Sequence, residues 1–571
     1  MSASPATAVH DSRRVPGPSL WNDAPAVLLD LATSDPERAV NAWHTALDAL
    51  LDVAPVPGIG RRLVRLYRHG ATVGFEAPVS VLYDAVDVNE WAAEVALRLR
   101  TLDDARERAH RLAPTLARAF EAPLERLLAD ARRRGVNALV GERTVTLGSG
   151  RTARSWPLDA VPDPAAVPWS AVRDVPIALV TGTNGKTTTT RLLRRMLDLA
   201  GIAAGHTSTE GVYVGPDELV GGDFAGPEGA RRLLRDPRVE AAVLETSRGG
   251  LMRRGLALNH AAVALVTNVG PDHFGEYGIL TVEDIARAKL TVRKALRPGA
   301  PLVVNADDPV LWAEALATGH APLWPFSLTD GPVVREAARH ARAAYVRDGE
   351  VRLAGDGAER TLCRVEEMPL AFGGSATYNV ANALAAVLAA VSLGVDTAGD
   401  ALSRALRTFG ADPGDNPGRM NVHRVPTDDG GTATVVVDYG HNDAGIRAVA
   451  PALATLPRAR TRVLISQAGD RSDADNARMA AEIVALGPDD VAITELPGYE
   501  RGRAVGETVQ SLARGFVRHG LAPEHHHTFS RPADGARFLL DTRRDGDLVV
   551  LFLHGDRPTV LDHVRALSQS A

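Results

Sequence analysis

The sequence predicts an α/β protein built on doubly wound, mainly parallel sheets. Three observations carry that expectation. Short apolar runs alternate with helical segments through the middle of the chain, and a glycine loop sits between one such run and a helix. A second alternation of the same kind begins after Ala411-Asp412-Pro413-Gly414-Asp415-Asn416-Pro417-Gly418, the clearest boundary in the sequence.

Residues 1–19 are small and polar, with Pro and Arg, and read as a flexible tail. An N-terminal α/β domain is expected over 20–165. Its helices lie at Glu90–Leu99 and Asp103–Phe120, the second kinked or divided at Pro114. The proline-punctuated stretch Leu158–Pro164 reads as a linker. In a central domain over 170–412, Ile177–Thr181 is a buried strand and Thr187–Ala200 a helix stopped by Gly201. Ala241–Glu245, Val263–Asn268 and Leu302–Asn305 are further strands, with a helix over Val282–Ala295. A Rossmann-like C-terminal domain over 416–571 has strands near Ala433–Asp438, Val463–Ser466, Val491–Thr494 and Leu548–Phe552.

Composition bounds the function. The chain has 571 residues and a formal charge of −6, so it carries no electrostatic footprint for nucleic acid. Cys363 is the single cysteine, which rules out an intramolecular disulfide and a cysteine metal cluster. No apolar run reaches 18 residues and no signal peptide is read, so no membrane contact is expected and a cytoplasmic home fits best.

Only three residues are lysine, Lys186, Lys289 and Lys294, against 61 arginines. A lysine kept in such a chain is expected where a compact, deprotonatable ammonium does what a guanidinium cannot. Lys186 lies in Gly182-Thr183-Asn184-Gly185-Lys186-Thr187-Thr188, between a strand and a helix. Backbone N–H groups and a helix N-terminus there suit phosphate oxygens, with Lys186 on the β- and γ-phosphates and Thr187 on Mg²⁺. Val180 stands where the strict Walker spacing has its first glycine. Glu245 ends one strand and His273 follows another, and strand ends form the binding crevice of such sheets. A carboxylate there suits Mg²⁺. His525-His526-His527 reads as a solvated surface loop, because three adjacent histidines cannot converge on one ion without strain.

The ordered set Gly182–Thr188, Glu245, Asn268 to His273, Ala288-Lys289, Asn305–Asp308, Asn379 to Ala383, Pro417-Gly418-Arg419 and Asp438–Asn442 resembles the Mur ligase family of ATP-dependent amino-acid ligases. It spans roughly 175–560 in the order of that family. Thr207–Gly211, Asp236–Val239, Glu245–Leu251 and Gly469-Asp470-Arg471 look closest to the Mur-like half of the cyanophycin synthetases. Phe75–Pro78 and Asn89–Trp91 resemble their first domain. Those enzymes carry an ATP-grasp domain between the two, and here only residues 115–170 fill that gap. One of their two amide-forming activities is therefore expected to be missing.

The resemblance implies an ATP-dependent amide (isopeptide) ligase. It activates a carboxylate as an acyl phosphate and joins it to an amino acid, releasing ADP and phosphate. It implies Thr187, Glu245, His273 and Lys289 as ligands of Mg²⁺, with Lys289 as the lysine often carried as a carbamate. Lys186, Lys289, Arg419 and His273 become the catalytic set. The phosphate loop, Asn305, Asn382, Arg419, Asp438 and His441 become nucleotide contacts, with Arg419 reaching the γ-phosphate. Tyr378 replaces the usual histidine before Asn379, and Gly440 replaces an alanine. Asp470 and Arg471 are candidate contacts for the amino acid, and Lys294 reads as an ordinary surface charge. Substrates are an amino acid and a peptide or amino-acid carboxylate. A γ-glutamyl ligase and a non-catalytic nucleotide-binding partner of a separate ATP-grasp enzyme remain alternatives, and a homo-oligomer remains open.

Overall fold

The computed structural model describes residues 7–569 except 121, 272, 273, 275 and 356. The chain falls into two compact units, Met1–Leu362 with Ala381–Ala405 and Cys363–Val380 with Leu406–Ala571. This differs from the division read in the sequence. The N-terminal block is not a separate unit, because it shares polar and apolar contacts with the central sheet. The division also cuts the helix Thr377–Ser392, which no composition shift marks.

The first unit is organised by an eleven-stranded sheet. Its order is Asp217–Gly221, Gly211–Val214, Ala204–Ser208, Ala241–Glu245, Ile177–Thr181, Val263–Val266, Leu302–Asn305, Leu323–Ser327, Arg342–Arg347, Glu350–Gly355 and Ala358–Arg364. The strands from Ala204–Ser208 to Arg342–Arg347 pair in parallel. Strands covered on both faces cannot alternate, which is why these read as continuous apolar runs. The helix Lys186–Leu199 buries Leu192, Leu193, Met196 and Leu197. The expected helix over 282–295 is α-helical over Val282–Lys289 and tightens to 3₁₀ turns over Leu290–Ala295.

The N-terminal block of this unit is an antiparallel sheet in the order Ala8–Val15, Ala26–Ala32, Gly70–Glu76, Arg62–Tyr67. The helices Pro36–Leu51, Leu82–Ala96 and Leu102–Ala119 pack on it around buried Trp43, whose indole N–H donates to Asn89 Oδ1 at 3.0 Å. The tail expected over 1–19 is thus a strand from Ala8. Its polar sequence hid a buried pair, Arg13 with Asp30 at 2.8 Å, and Asp30 also accepts from Thr72 at 2.6 Å. The helix Leu102–Ala119 runs through Pro114 undivided, and that residue faces solvent. A small sheet of Ala138–Val140, Thr144–Leu147 and Arg154–Pro157 packs with the helix Ala122–Arg133.

The second unit holds a six-stranded sheet in the order Asn421–Pro426, Thr432–Asp438, Asp547–Phe552, Arg460–Ser466, Asp490–Thr494 and His526–Phe529. The first pair is antiparallel and the rest are parallel. Two of the three adjacent histidines are therefore not in a surface loop. His526 and His527 open an edge strand and are partly buried, the His527 ring 4.6 Å from Phe538 and the His526 ring 5.6 Å from Phe516. Among the described residues no helix is long and apolar enough to cross a membrane.

Candidate functional site

At the carboxyl end of Ile177–Thr181 the chain turns through Gly182–Gly185 into the helix that starts at Lys186. Gly185 caps that helix at φ +85°, a conformation side chains rarely adopt, and a Cβ there would overlap the Asn382 amide. A Cβ on Gly182 would overlap the Thr267 hydroxyl. Both glycines are thus required by close approach. The Lys186 ammonium folds back over the loop and donates to the carbonyls of Gly182 at 3.0 Å and Thr183 at 2.9 Å.

Thr187 donates its hydroxyl to Glu245 Oε2 at 2.9 Å. Glu245 is 1% exposed at the end of its strand. The structure therefore brings together the two residues paired in the sequence reading, 58 positions apart. Asn184 and Thr188 belong to the same turn, and Thr188 is buried in the first turn of the helix.

Asn268, which opens the motif Asn268 to His273, holds this loop. Its Oδ1 accepts from Asn184 N at 2.9 Å, its amide donates to Asn184 O at 3.1 Å, and its carbonyl accepts from Thr183 N at 3.0 Å. Thr267 donates to Asn184 O at 2.6 Å, and Thr183 Oγ1 accepts from Gly270 N at 3.2 Å. The web fixes the loop through side chains from the next strand end.

Lys289 is 4% exposed at the last position of its helix. Asn305 donates to Thr267 O at 3.0 Å and accepts from Asp307 N at 2.9 Å, so its amide shapes the turn after its strand. Asn382 is buried against Gly185. His273 lies outside the described residues.

The second unit carries the remaining candidates. Asp438 ends its strand and accepts from Gly440 N at 2.7 Å and Met420 N at 2.8 Å. Burial pushes its carboxyl above the usual range, while Arg419 and those N–H groups pull it back. The Arg419 guanidinium lies 4.3 Å over the Tyr439 ring, and Arg557 reaches the same ring at 5.4 Å. The His441 ring lies 5.3 Å from Tyr439. Arg419 and His441 thus gather about Tyr439, the residue after Asp438, which the motif Asp438–Asn442 includes without marking it.

His554 was also missed. Its Nε2 faces Gly440 O at 2.9 Å, and its Nδ1 faces Ser466 O at 2.9 Å and Ser466 Oγ at 3.1 Å. Burial pushes its pKa down to about 4. It straps the loop after Asp438 to the end of Arg460–Ser466, two strands away in the sheet. Asp470 and Arg501 pair at 2.6 Å, and Arg503 donates to the carbonyls of Gly469 at 3.0 Å and Arg471 at 2.6 Å. Asp470 and Arg471 thus sit in a loop held by arginines.

Residues 180–390 match the Mur ligase middle domain, and residues 418–552 match the Mur ligase glutamate ligase domain. The chain is 38% identical over 349 residues to a cyanophycin synthetase of Synechocystis, covering 60% of this chain and 38% of that relative. It therefore spans less than half the length of the cyanophycin synthetases it matches. It is 31% identical over 412 residues to the UDP-N-acetylmuramoyl-L-alanyl-D-glutamate–2,6-diaminopimelate ligase of Mesorhizobium japonicum, covering 69% and 78% of the two chains. In fold it resembles E. coli FolC, solved in complex with DHPP and ADP, at TM-score 0.51 and 20% identity over 69% and 89% of the two chains. A bifunctional folylpolyglutamate synthase/dihydrofolate synthase from Yersinia pestis, solved with AMPPNP and Mn ion, gives TM-score 0.50 and 21% identity over 69% and 88%. With both domain matches in sequence order and a relative 31% identical over 78% of its length, the chain belongs to the Mur ligase family.

Proposed function

We propose that this chain is an ATP-dependent amide ligase of cyanophycin-synthetase-like type. A carboxylate on a peptide or amino acid attacks the γ-phosphorus of ATP and ADP leaves. The amine of an amino acid then attacks the acyl phosphate, losing a proton as phosphate departs. The observation that carries this reading is the Thr187–Glu245 contact at 2.9 Å beneath a phosphate loop, in a chain of this family.

The residues fit the nucleotide. We assign Gly182, Thr183, Asn184, Gly185 and Thr188 to the phosphates: they form a turn at a helix N-terminus, where backbone N–H groups and the helix dipole favour anions, and its two glycines let Thr267 and Asn382 pack against it. Lys186 holds a compact positive charge on two loop carbonyls, next to where phosphate charge would gather. Asn382 packs on the loop, and Asn305 shapes the neighbouring turn. The residues also fit a hard divalent cation such as Mg²⁺. A buried carboxylate beside a hydroxyl offers oxygen donors, and we assign Thr187 and Glu245 to it, with His273 as a further ligand and Lys289 as one through the oxygens of a carbamate formed with CO₂. When bound, that cation would neutralise phosphate charge. From the second unit, Arg419, Asp438 and His441 are assigned to the nucleotide, with Arg419 on the γ-phosphate. Catalysis of this kind rests on positioning and charge stabilisation.

The test is ADP and phosphate release from Mg²⁺-ATP with pooled amino acids and pooled aspartyl or glutamyl peptides, run beside Lys186→Ala. Release that needs both pools and disappears in the variant is expected. Tight nucleotide binding without turnover in any pool would overturn the ligase reading.

A further inference from the structure

The helix Val282–Lys289 is held at both ends by residues of the N-terminal block, more than 200 positions away in sequence. Before its start, Arg65 donates to the carbonyls of Tyr277 at 3.0 Å and Gly278 at 3.0 Å, and to Asp284 Oδ1 at 3.3 Å. Asp284 also closes the capping box of that helix, its carboxylate accepting from Leu280 N and Thr281 N while the Asp284 N–H donates to Thr281 Oγ1. One guanidinium therefore grips the turn and the cap together.

Beyond the helix end, Lys294 donates to Ser19 O at 2.7 Å and pairs with Asp23 at 2.9 Å. Lys294 is thus no ordinary surface charge. Between the two grips, Ile279, Ile285 and Ala288 are buried with Met252 against Leu20 and Trp21. Arg65 lies 5.0 Å over the Trp21 ring, so both grips converge on one short segment of the N-terminal block. The turn itself needs the left-handed conformation at Tyr277, φ +55°, and Gly278, φ +65°, and a Cβ on Gly278 would meet the Tyr67 ring at 2.8 Å. Left-handed backbone at a non-glycine residue persists only where its surroundings impose it.

We propose that the N-terminal block is a two-point clamp that sets the position of Lys289, with Arg65 and Lys294 as positioning residues. The role given to Lys289 rests on the ligase reading above, but the clamp itself does not. A buried lysine at the end of a two-turn helix is placed by whatever fixes that helix, and here the fixing groups come from outside the parallel sheet. The N-terminal block thereby acquires a function that does not depend on binding anything.

Amide hydrogen exchange and steady-state ADP release on the full chain test this with Arg65→Ala, Lys294→Met and the conservative Arg65→Lys. In the first two, exchange over 279–294 should rise by about tenfold or more while the helix 186–199 keeps its protection, because local opening follows local contacts. The kcat for ADP release should fall by about tenfold to a hundredfold with little change in KM for ATP, as misplacement by about 1 Å can cost that much. Arg65→Lys should recover part of both. Unchanged exchange over 279–294, or raised exchange with normal kcat, would overturn the proposal. If the unaltered chain shows no turnover at all, the ligase reading fails, and exchange still decides whether the clamp exists.

Discussion

Two strand ends, one in each unit, make an instructive pair. After Ile177–Thr181 the chain forms a loop of glycines, hydroxyls and one ammonium, closed by backbone and amide contacts. After Thr432–Asp438 it forms a loop whose charged groups gather about Tyr439, with Asp438 held by backbone N–H groups and Gly440 O facing His554. Both strands are buried in largely parallel sheets, so the architecture is the same. The first loop is held by Asn268 and Thr267, with the Lys186 ammonium folded onto its carbonyls. The second holds arginine, aspartate and histidine side chains in place by stacking and burial. The same fold position thus carries a backbone-rich loop in one unit and a cluster of charged side chains in the other.

If the first loop is the essential one, Lys186→Ala should cause the largest loss, about a hundredfold to a thousandfold in ADP release, the range expected when one charge-stabilising donor is removed. Lys186→Arg should fail nearly as badly, since a planar guanidinium cannot replace the ammonium folded against two carbonyls. Activity retained in either variant would break the comparison at its stronger end.

Gly185→Ala comes next. A Cβ would overlap Asn382 at a positive φ, so a destabilisation of about 1–3 kcal/mol is expected by thermal or denaturant unfolding, with loss of nucleotide binding.

In the second unit, His554→Gln should change the pH dependence of stability. Burial holds this imidazole neutral in the folded chain, with a pKa of about 4 against an ordinary 6.5. Folding therefore releases a proton below pH 6.5. The contribution is fully present above 6.5 and is lost as pH falls toward about 4. The glutamine variant should show a shallower fall of unfolding free energy over that window, by up to about one proton in slope. An identical slope would mean that His554 is not the titrating group.

The smallest effect should come from Arg501→Ala, which breaks an exposed pair with Asp470. Stability should change by less than about 1 kcal/mol. A rise in KM for the amino acid alone would sharpen the assignment of Asp470 to that substrate.

The contrast also explains what was legible in the sequence. The first loop is contiguous from Gly182 to Thr188, and its strand is an uninterrupted apolar run, so motif and context agreed. Glu245 was legible because it ends an apolar strand, and the family resemblance placed it with Thr187 on one cation. The second cluster is assembled from residues between Arg419 and Arg557, and its organising residue, Tyr439, is an ordinary tyrosine until its neighbours are known. The strand Ala8–Val15 escaped notice because burying Arg13 beside Asp30 breaks the alternation that marks a strand. His526 and His527 were misplaced for a related reason: an edge strand with polar residues does not show the apolar signal of a central one. Arg65 could not be found at all, since nothing local connects it to Tyr277 or Asp284.

The scarcity of lysine also has a practical consequence. Lys186 is bound to two carbonyls, Lys289 is buried, and Lys294 is engaged with Ser19 and Asp23. Apart from the terminal amine, an amine-reactive acylating reagent therefore has only these three side chains to modify, one at the loop, one at the helix end and one at the clamp. The extent of labelling at each, read by mass spectrometry, would report separately on the state of those three places without any introduced probe.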